Sequence, residues 1–439
     1  MKKIFFQLTR NAGVILLFLL PTMLKAQFDS LPNFRYYDKR GINVFEPPKQ
    51  TVENYDGVKV RLGAGFTQGF QSLSHSNSFD GKGTTNKLYA ISPGFNTAMA
   101  NLNIDVQLAP GIRLNLTSYL STRHHNETWV KGGYLQIDKL PFQGEFWDQL
   151  MKVVTIKAGH MEINYGDAHF RRSDGGQTMY NPFAENYILD AYTTEIGGEI
   201  YARKNGFFVM GAVSNGMIKG NIDSLVATAA DDNVHKSPAL YGKIGVDKSV
   251  GELLRIRLSG SYYHDGSSGG NTLFGGDRAG SNYFMVMEKA GSGVTYATNA
   301  FSGRLNPGFG KKVDAFEFNG FFKVIGFEVF ATYDIAKGRT AAEVTPRHVN
   351  QFAIDWLYRF GPKENFYVGA RYNTVTARLA GFTDNITVDR TAIAAGYFLT
   401  RNILVKGEIV DQHYRDFPDT DYRNSGKFNG YVIQAVVGF

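Results

Sequence analysis

Four histidines and two short motifs are the residues whose types most invite a chemical reading. His124-His125, His160 and His169 offer imidazoles, but their spacing matches no standard zinc pattern. Asp419-x-Asp421-x-x-Asn424 places oxygen ligands in a calcium-like order, yet it lacks the glycine and distal glutamate of a full loop. Gly63-x-Gly65 falls inside a strand pattern with no helix following, so it is no phosphate cradle. There is no Gly-x-Ser-x-Gly nucleophile motif, and without cysteine neither a thiolate metal site nor a disulfide can form. Neither a cofactor nor a bound metal is expected, and the chain is not read as an enzyme.

Charge is dense in one long polar stretch, Asn164 to Asp190. It carries Asp167, His169, Arg171, Arg172, Asp174 and Glu185, with Pro182-Phe183 placed to fix a bend. The chemistry such residues can do is recognition. If this stretch folds into a lumen it forms a constriction, with Arg171 and Arg172 beside the permeant solute.

The elements that would hold such a stretch show a period of two. In Gln351 to Phe360, Phe352, Ile354, Trp356, Tyr358 and Phe360 oppose Gln351, Asp355 and Arg359. Val58 to Phe66, Ala98 to Leu108 and Glu252 to His264 alternate in the same way. In the last segment Tyr431, Ile433, Ala435, Val437 and Phe439 share one parity. Gly430, Gln434 and Gly438 take the other, where Val432 and Val436 are less polar than the pattern asks. A tilted strand needs about 9–11 residues to cross a bilayer, and these segments are long enough. Short turns such as Ala109-Pro110-Gly111 and Lys204-Asn205-Gly206 alternate with long polar loops, the pattern of an outer-membrane barrel.

The expected fold is therefore an all-β transmembrane antiparallel β-barrel of about 16–18 strands, with 18 favoured. The total falls to 16 if Ser281 to Glu288 and Val294 to Arg304 are not strands. Parity then puts Lys59, Arg61, Arg113, Lys157, Arg255, Arg257, Arg359, Arg371, Arg390 and Lys406 inside. The acids Asp105, Glu195, Glu199, Glu317, Glu328, Asp334, Asp355 and Glu408 join them. An arginine or lysine facing lipid at midplane would cost on the order of 2–4 kcal/mol. Arg61, Arg113, Lys157, Arg255, Arg257, Asp355, Arg359 and Arg371 are expected to line the pore. Alternatively the charges pair across strands and only solvate the wall. Trp129, Tyr134, Tyr262, Tyr397 and Phe439 fit interfacial girdles.

At the N-terminus, Lys2, Lys3 and Arg10 precede an apolar core, Val14 to Leu20, and Leu24-Lys25-Ala26 resembles a cleavage site. Residues 1–26 are read as a signal peptide, 27–56 as a periplasmic extension and 57–439 as the barrel. Removing Lys2, Lys3, Arg10 and Lys25 leaves +3 of the net +7, too little to argue for nucleic acid.

Thr155-Ile-Lys-Ala-Gly-His160, followed by Ile163 and Gly166, resembles the corresponding segment of the porin O/P type, the phosphate-selective porins. The terminal Tyr431-x-Ile433-x-Ala435-x-Val437-x-Phe439 is similar to the assembly signal of outer-membrane proteins. The resemblance implies a barrel with an inward third loop, often a homotrimer, inserted in outer-membrane lipid by the barrel assembly machinery. No ladder of Arg and Lys suited to phosphate capture is seen. The expected function is a porin: a water-filled, weakly anion-leaning channel for passive diffusion of small hydrophilic solutes. A non-channel barrel for adhesion, secretion or lipid handling is the second reading, and a barrel hydrolase the third.

Overall fold

A computed structural model describes residues 31, 33–49, 55–80, 82–83, 85–121, 128–142, 144–220, 222–223, 225–251, 253–275, 281–291, 293–299 and 303–439. The signal segment 1–26 and His124-His125 lie outside the described residues. The chain forms one antiparallel sheet. Its first half comprises β1 (Lys59–Ser76), β2 (Gly94–Phe95), β3 (Met99–Ala109), β4 (Ile112–Ser121), β5 (Trp129–Ile137), β6 (Val154–Glu162), β7 (Thr194–Lys204) and β8 (Phe207–Ser214). The second comprises β9 (Ala239–Val250), β10 (Leu254–Asp265), β11 (Lys312–Val324), β12 (Phe327–Arg339), β13 (Arg347–Phe360), β14 (Phe366–Ala377), β15 (Ile386–Thr400), β16 (Ile403–Arg415) and β17 (Lys427–Gly438).

Each strand pairs with its neighbour in sequence, and β1 returns to β17 from Gly65↔Gly438 to Ser76↔Lys427. The two-residue β2 pairs beside β1 and lies outside the ring, because β1 also pairs directly with β3. The barrel therefore closes with 16 strands plus this one outside strand. Closure leaves no unpaired sheet edge, which is what a hydrocarbon surround demands.

The favoured total of 18 is corrected. Among the described residues neither 281–288 nor 294–304 forms a strand; both belong to the long β10–β11 connection. Met285 (φ 60) and Met287 (φ 56) are left-handed there, a conformation that breaks an extended run.

Alternation fixes which side each residue faces. On β13 the outward Phe352, Trp356, Tyr358 and Phe360 are exposed, while Gln351, Asp355 and Arg359 are buried inside. Trp129, Tyr262, Tyr397 and Phe439 are likewise exposed on the outside. Tyr134 departs from the expected girdle: it borders an internal cavity, with Lys157 Nζ 4.2 Å from its ring centre.

Leu258 is 56% exposed on the outer face of β10. Leu258→Arg is expected to lower unfolding stability in lipid by about 2–4 kcal/mol, read from denaturant titration in vesicles.

Candidate functional site: a lumen filled by three inserted segments

An empty barrel of 16 strands would hold a wide water column. Here the inward charges are buried instead, because three stretches of irregular chain occupy the interior. Irregular backbone carries N–H and C=O groups that no ladder satisfies, so each stretch needs partners on the wall.

The first stretch is residues 33–49, expected as an extension ahead of the barrel. In the structure the segment lies as a strap against the inner wall, near the end that carries the short turns. Lys39 N–H donates to Arg401 O in the β15–β16 turn at 3.0 Å. Wall arginines donate to the strap's carbonyls: Arg61 to Arg35 O (2.8 Å), Arg113 to Asn33 O, Arg203 to Pro47 O (2.7 Å) and Arg255 to Asn43 O (2.8 Å). Tyr37 OH donates to Asp105 at 3.1 Å, and Asn43 Nδ2 to Glu328 at 2.7 Å.

The second stretch, residues 163–193, is the long polar loop, and it is buried almost throughout. Lys406 Nζ donates to the carbonyls of Thr178 (2.7 Å), Asn181 (2.7 Å) and Phe183 (2.8 Å). Arg371 donates to Glu185 O at 2.8 Å and Arg390 to Asn186 O at 2.7 Å. Wall acceptors take the loop's N–H groups: Glu199 from Asn164 at 2.9 Å, Asn319 from Asp167 at 2.8 Å and Glu408 from Ala184 at 2.9 Å. The apolar parts pack as well. Met179 and Phe183 sit against the inward Leu357, Leu404 and Val436. Phe170 and Tyr187 join the strap's Phe45 against Phe321 and Phe330.

Glycine permits two of these approaches. Gly166 has φ +68, and a Cβ there would meet the Glu317 carboxyl about 2.0 Å away. Gly63-x-Gly65 faces inward on β1, where a Cβ would strike the Tyr37 ring at 2.1 Å and Gln177 at 2.5 Å. The motif serves close approach of strap and loop to the wall.

A four-charge cluster ties the two stretches to the barrel. Asp167 of the loop meets Lys243 at 2.6 Å and Arg257 at 2.7 Å. Arg257 also meets Glu46 of the strap at 2.8 Å, and all four side chains are buried. Burial opposes the charge on Asp167 and Glu46, but Lys243 and Arg257 outweigh it and hold both carboxyls below their usual range. Asp190 is likewise held low against burial by Arg172, 2.6 Å away. Burial lowers the pKa of His169, against the pull of Glu162.

The third stretch is the β10–β11 connection, which was not anticipated as an insert. Its N–H groups at Asn282 (2.8 Å) and Tyr283 (2.9 Å) converge on the Glu185 carboxylate. Burial pushes the Glu185 pKa up, with Arg390, Arg304 and the N–H groups of Asn186 and Asn282 acting against it. Gln71 clamps Phe284 through both its backbone groups, at 2.9 and 3.0 Å. The run of Tyr283, Phe284, Met285, Val286 and Met287, all buried, was the available signal: apolar on both parities, so not a wall with one wet face.

Between the strap, the loop and the wall from β3 to β7 lies a cavity of about 190 Å³. Of the six residues expected at a constriction, His169 and Asp174 border it. Asp167, Arg171, Arg172 and Glu185 instead pin the loop: Arg171 lies 2.8 Å from Glu328, and Arg172 grips Asp190. Of the eight residues expected to line the pore, Arg113 and Lys157 border the cavity. Arg61, Arg255, Arg257, Asp355, Arg359 and Arg371 face inward but are engaged in pairs, including Arg371–Asp355 at 2.6 Å and Arg359–Glu328 at 3.0 Å. The structure thus favours, for these six, the alternative in which inward charges are paired.

Sequence reading missed Arg35, Glu46 and Lys131 at this cavity. Lys131 reaches it because the β4–β5 register slips between Thr117 and Ser118. Such a bulge turns the extra residue across the sheet. There Lys131 contacts Asp174 and lies 3.6 Å from Glu162. The strap residues carried a signal in Phe34-Arg35-Tyr36-Tyr37, whose aromatic and charged side chains are unlike a linker.

Asp167→Ala is expected to cost on the order of 3–5 kcal/mol, because Lys243 and Arg257 would stay buried short of one partner. Denaturant unfolding measures this, and limited proteolysis within 163–193 should accelerate. Gly166→Ala should free the same loop without altering charge.

No family model matches the chain, and no curated protein is significantly similar to it. Solved structures are similar in fold. The anion-selective porin from Comamonas acidovorans has a TM-score of 0.53 at 9% identity, covering 87% of this chain and 100% of that one. The outer membrane channel DcaP of Acinetobacter baumannii has a TM-score of 0.50 at 13% identity, covering 88% and 99%. Salmonella typhi OmpF, in a complex with daunomycin, has a TM-score of 0.50 at 11% identity, covering 88% and 100%. The fold is that of a porin-type outer-membrane barrel.

Proposed function

We propose that the chain is an outer-membrane channel for passive diffusion of small hydrophilic solutes, with a narrow, weakly anion-leaning path. The observation that carries this reading is a cavity inside a closed barrel, bordered by charges of both signs. Arg35, Arg113, Lys131, Lys157 and Arg203 border it, against the acids Glu46, Asp105, Glu162 and Asp174. Charges of both signs around a water-holding constriction set ion preference. In this reading residues 1–26 are an export signal, the short-turn end faces the periplasm, and β17 is the strand read by the assembly machinery. A trimer in the membrane is compatible with the apolar outer face. The anion-selective porin of similar fold agrees with the direction of the charge preference, and the O/P type remains a resemblance of one segment.

The filling of the lumen favours a second reading, a barrel that conducts nothing and serves adhesion, secretion or lipid handling. Planar bilayers separate the two. The channel reading expects stepwise conductance from purified protein, smaller than that of an unobstructed 16-strand pore. In liposomes it expects swelling that is faster with a monosaccharide than with a disaccharide. Silent bilayers, with heat-modifiable gel mobility confirming folded protein, would leave the second reading standing.

A further inference from the structure

We propose that Arg35, carried by the strap rather than by the wall or the loop, sets the charge preference of this constriction, and that it favours small carboxylate-bearing anions. The inference rests on the channel reading and names its solute class.

Four acids border the cavity, and each is compensated. Glu46 is held by Arg257 and Lys243, Asp105 by Arg61 at 2.6 Å, Glu162 by Lys131 at 3.6 Å, and Asp174 by Lys131 and Arg172. Three of the bordering cations are compensated too: Arg113 by Asp138 at 2.7 Å, Lys131 by Asp174, and Lys157 by Glu199 at 3.6 Å. Arg35 and Arg203 differ. Among the described residues neither has a carboxylate at ion-pair distance, and both depend on the strap. Arg203 donates to Pro47 O, and Arg35 is itself a strap residue.

Arg35 is held by neutral groups. Its Nε donates to Gly41 O at 3.0 Å, its Nη2 to Phe170 O at 2.7 Å, and its guanidinium lies 3.7 Å from the Tyr180 ring centre. Carbonyls and a ring fix the plane of the group without cancelling its charge. A guanidinium stays protonated even when buried. The two bonds leave the remaining N–H groups for a solute, and a planar fork matches a carboxylate better than a spherical ion. The arrangement thus joins a cation with no carboxylate at ion-pair distance among the described residues to a fixed orientation at the edge of the open space.

The test uses full-length protein in planar bilayers. Reversal potentials in a potassium chloride gradient give the chloride-to-potassium ratio, and replacement of chloride by acetate gives the acetate-to-chloride ratio. Arg35→Gln is expected to lower the chloride-to-potassium ratio by about threefold or more. Arg35→Lys should keep that ratio, because the charge remains, but lose the acetate preference, because the fork is gone. Arg40→Gln, which removes an exposed strap arginine paired with Asp38, should change neither. If Arg35→Gln conducts with unchanged ratios, the proposal is overturned. It is overturned equally if Arg35→Lys falls as far as Arg35→Gln, since Arg35 would then act only by holding the strap. Absence of conductance in the wild type would overturn the channel reading itself.

Discussion

A carbonyl or amide buried without a partner costs more than most single contacts return. Three irregular segments can sit inside this barrel only because the wall meets that demand residue by residue. Long cations reach inward and end on backbone oxygens: Arg61, Arg203 and Arg255 on the strap, Lys406, Arg371 and Arg390 on the loop. Glu199, Asn319 and Glu408 do the reverse for backbone N–H. The inward polar parity of the strands is therefore the hydrogen-bonding surface on which the inserts fold.

That division explains why the inward charges differ in kind. Charges distant from the cavity, such as the Arg371–Asp355 pair, are sealed and neutral as a unit. Beside it, close pairs such as Arg113–Asp138 stand next to a looser one, Lys157–Glu199 at 3.6 Å, and next to Arg35, which ends on carbonyls. A low-dielectric surround makes the few uncompensated charges count for more than the net charge of the chain.

The barrel was legible because strand parity is a local property: side chains that alternate between lipid and lumen write a two-residue period into the sequence, as in Phe352 to Phe360. The inserts were less legible, because their partners are remote. Asn164 to Asp190 could be read as folding inward from its length and charge, yet nothing local says that Arg172 ends on Asp190 while Asp174 faces the cavity. The inward course of the strap was not legible because Asn43–Glu328 and Glu46–Arg257 join residues more than two hundred positions apart. The apolar inward Val432 and Val436, puzzling against a water column, have their reason in the filled interior, where Val436 packs on Met179 and Phe183. Lys131 was hidden by a bulge, which shifts parity by one residue.

The strap also bears on how the molecule can assemble. It precedes β1, and its Tyr37 carbonyl sits where a side chain on Gly438 would be, at the far end of the chain. The seam between the first and last strands thus lies directly against the strap, like a jacket fastened over a folded scarf. The strap's described ends, Asn33 on Arg113 and Lys49 on Asp138 and Val154, lie near the same mouth, which leaves a lengthwise exit with the seam still shut. The loop between β6 and β7, moored to adjacent staves at the opposite rim, has no such exit.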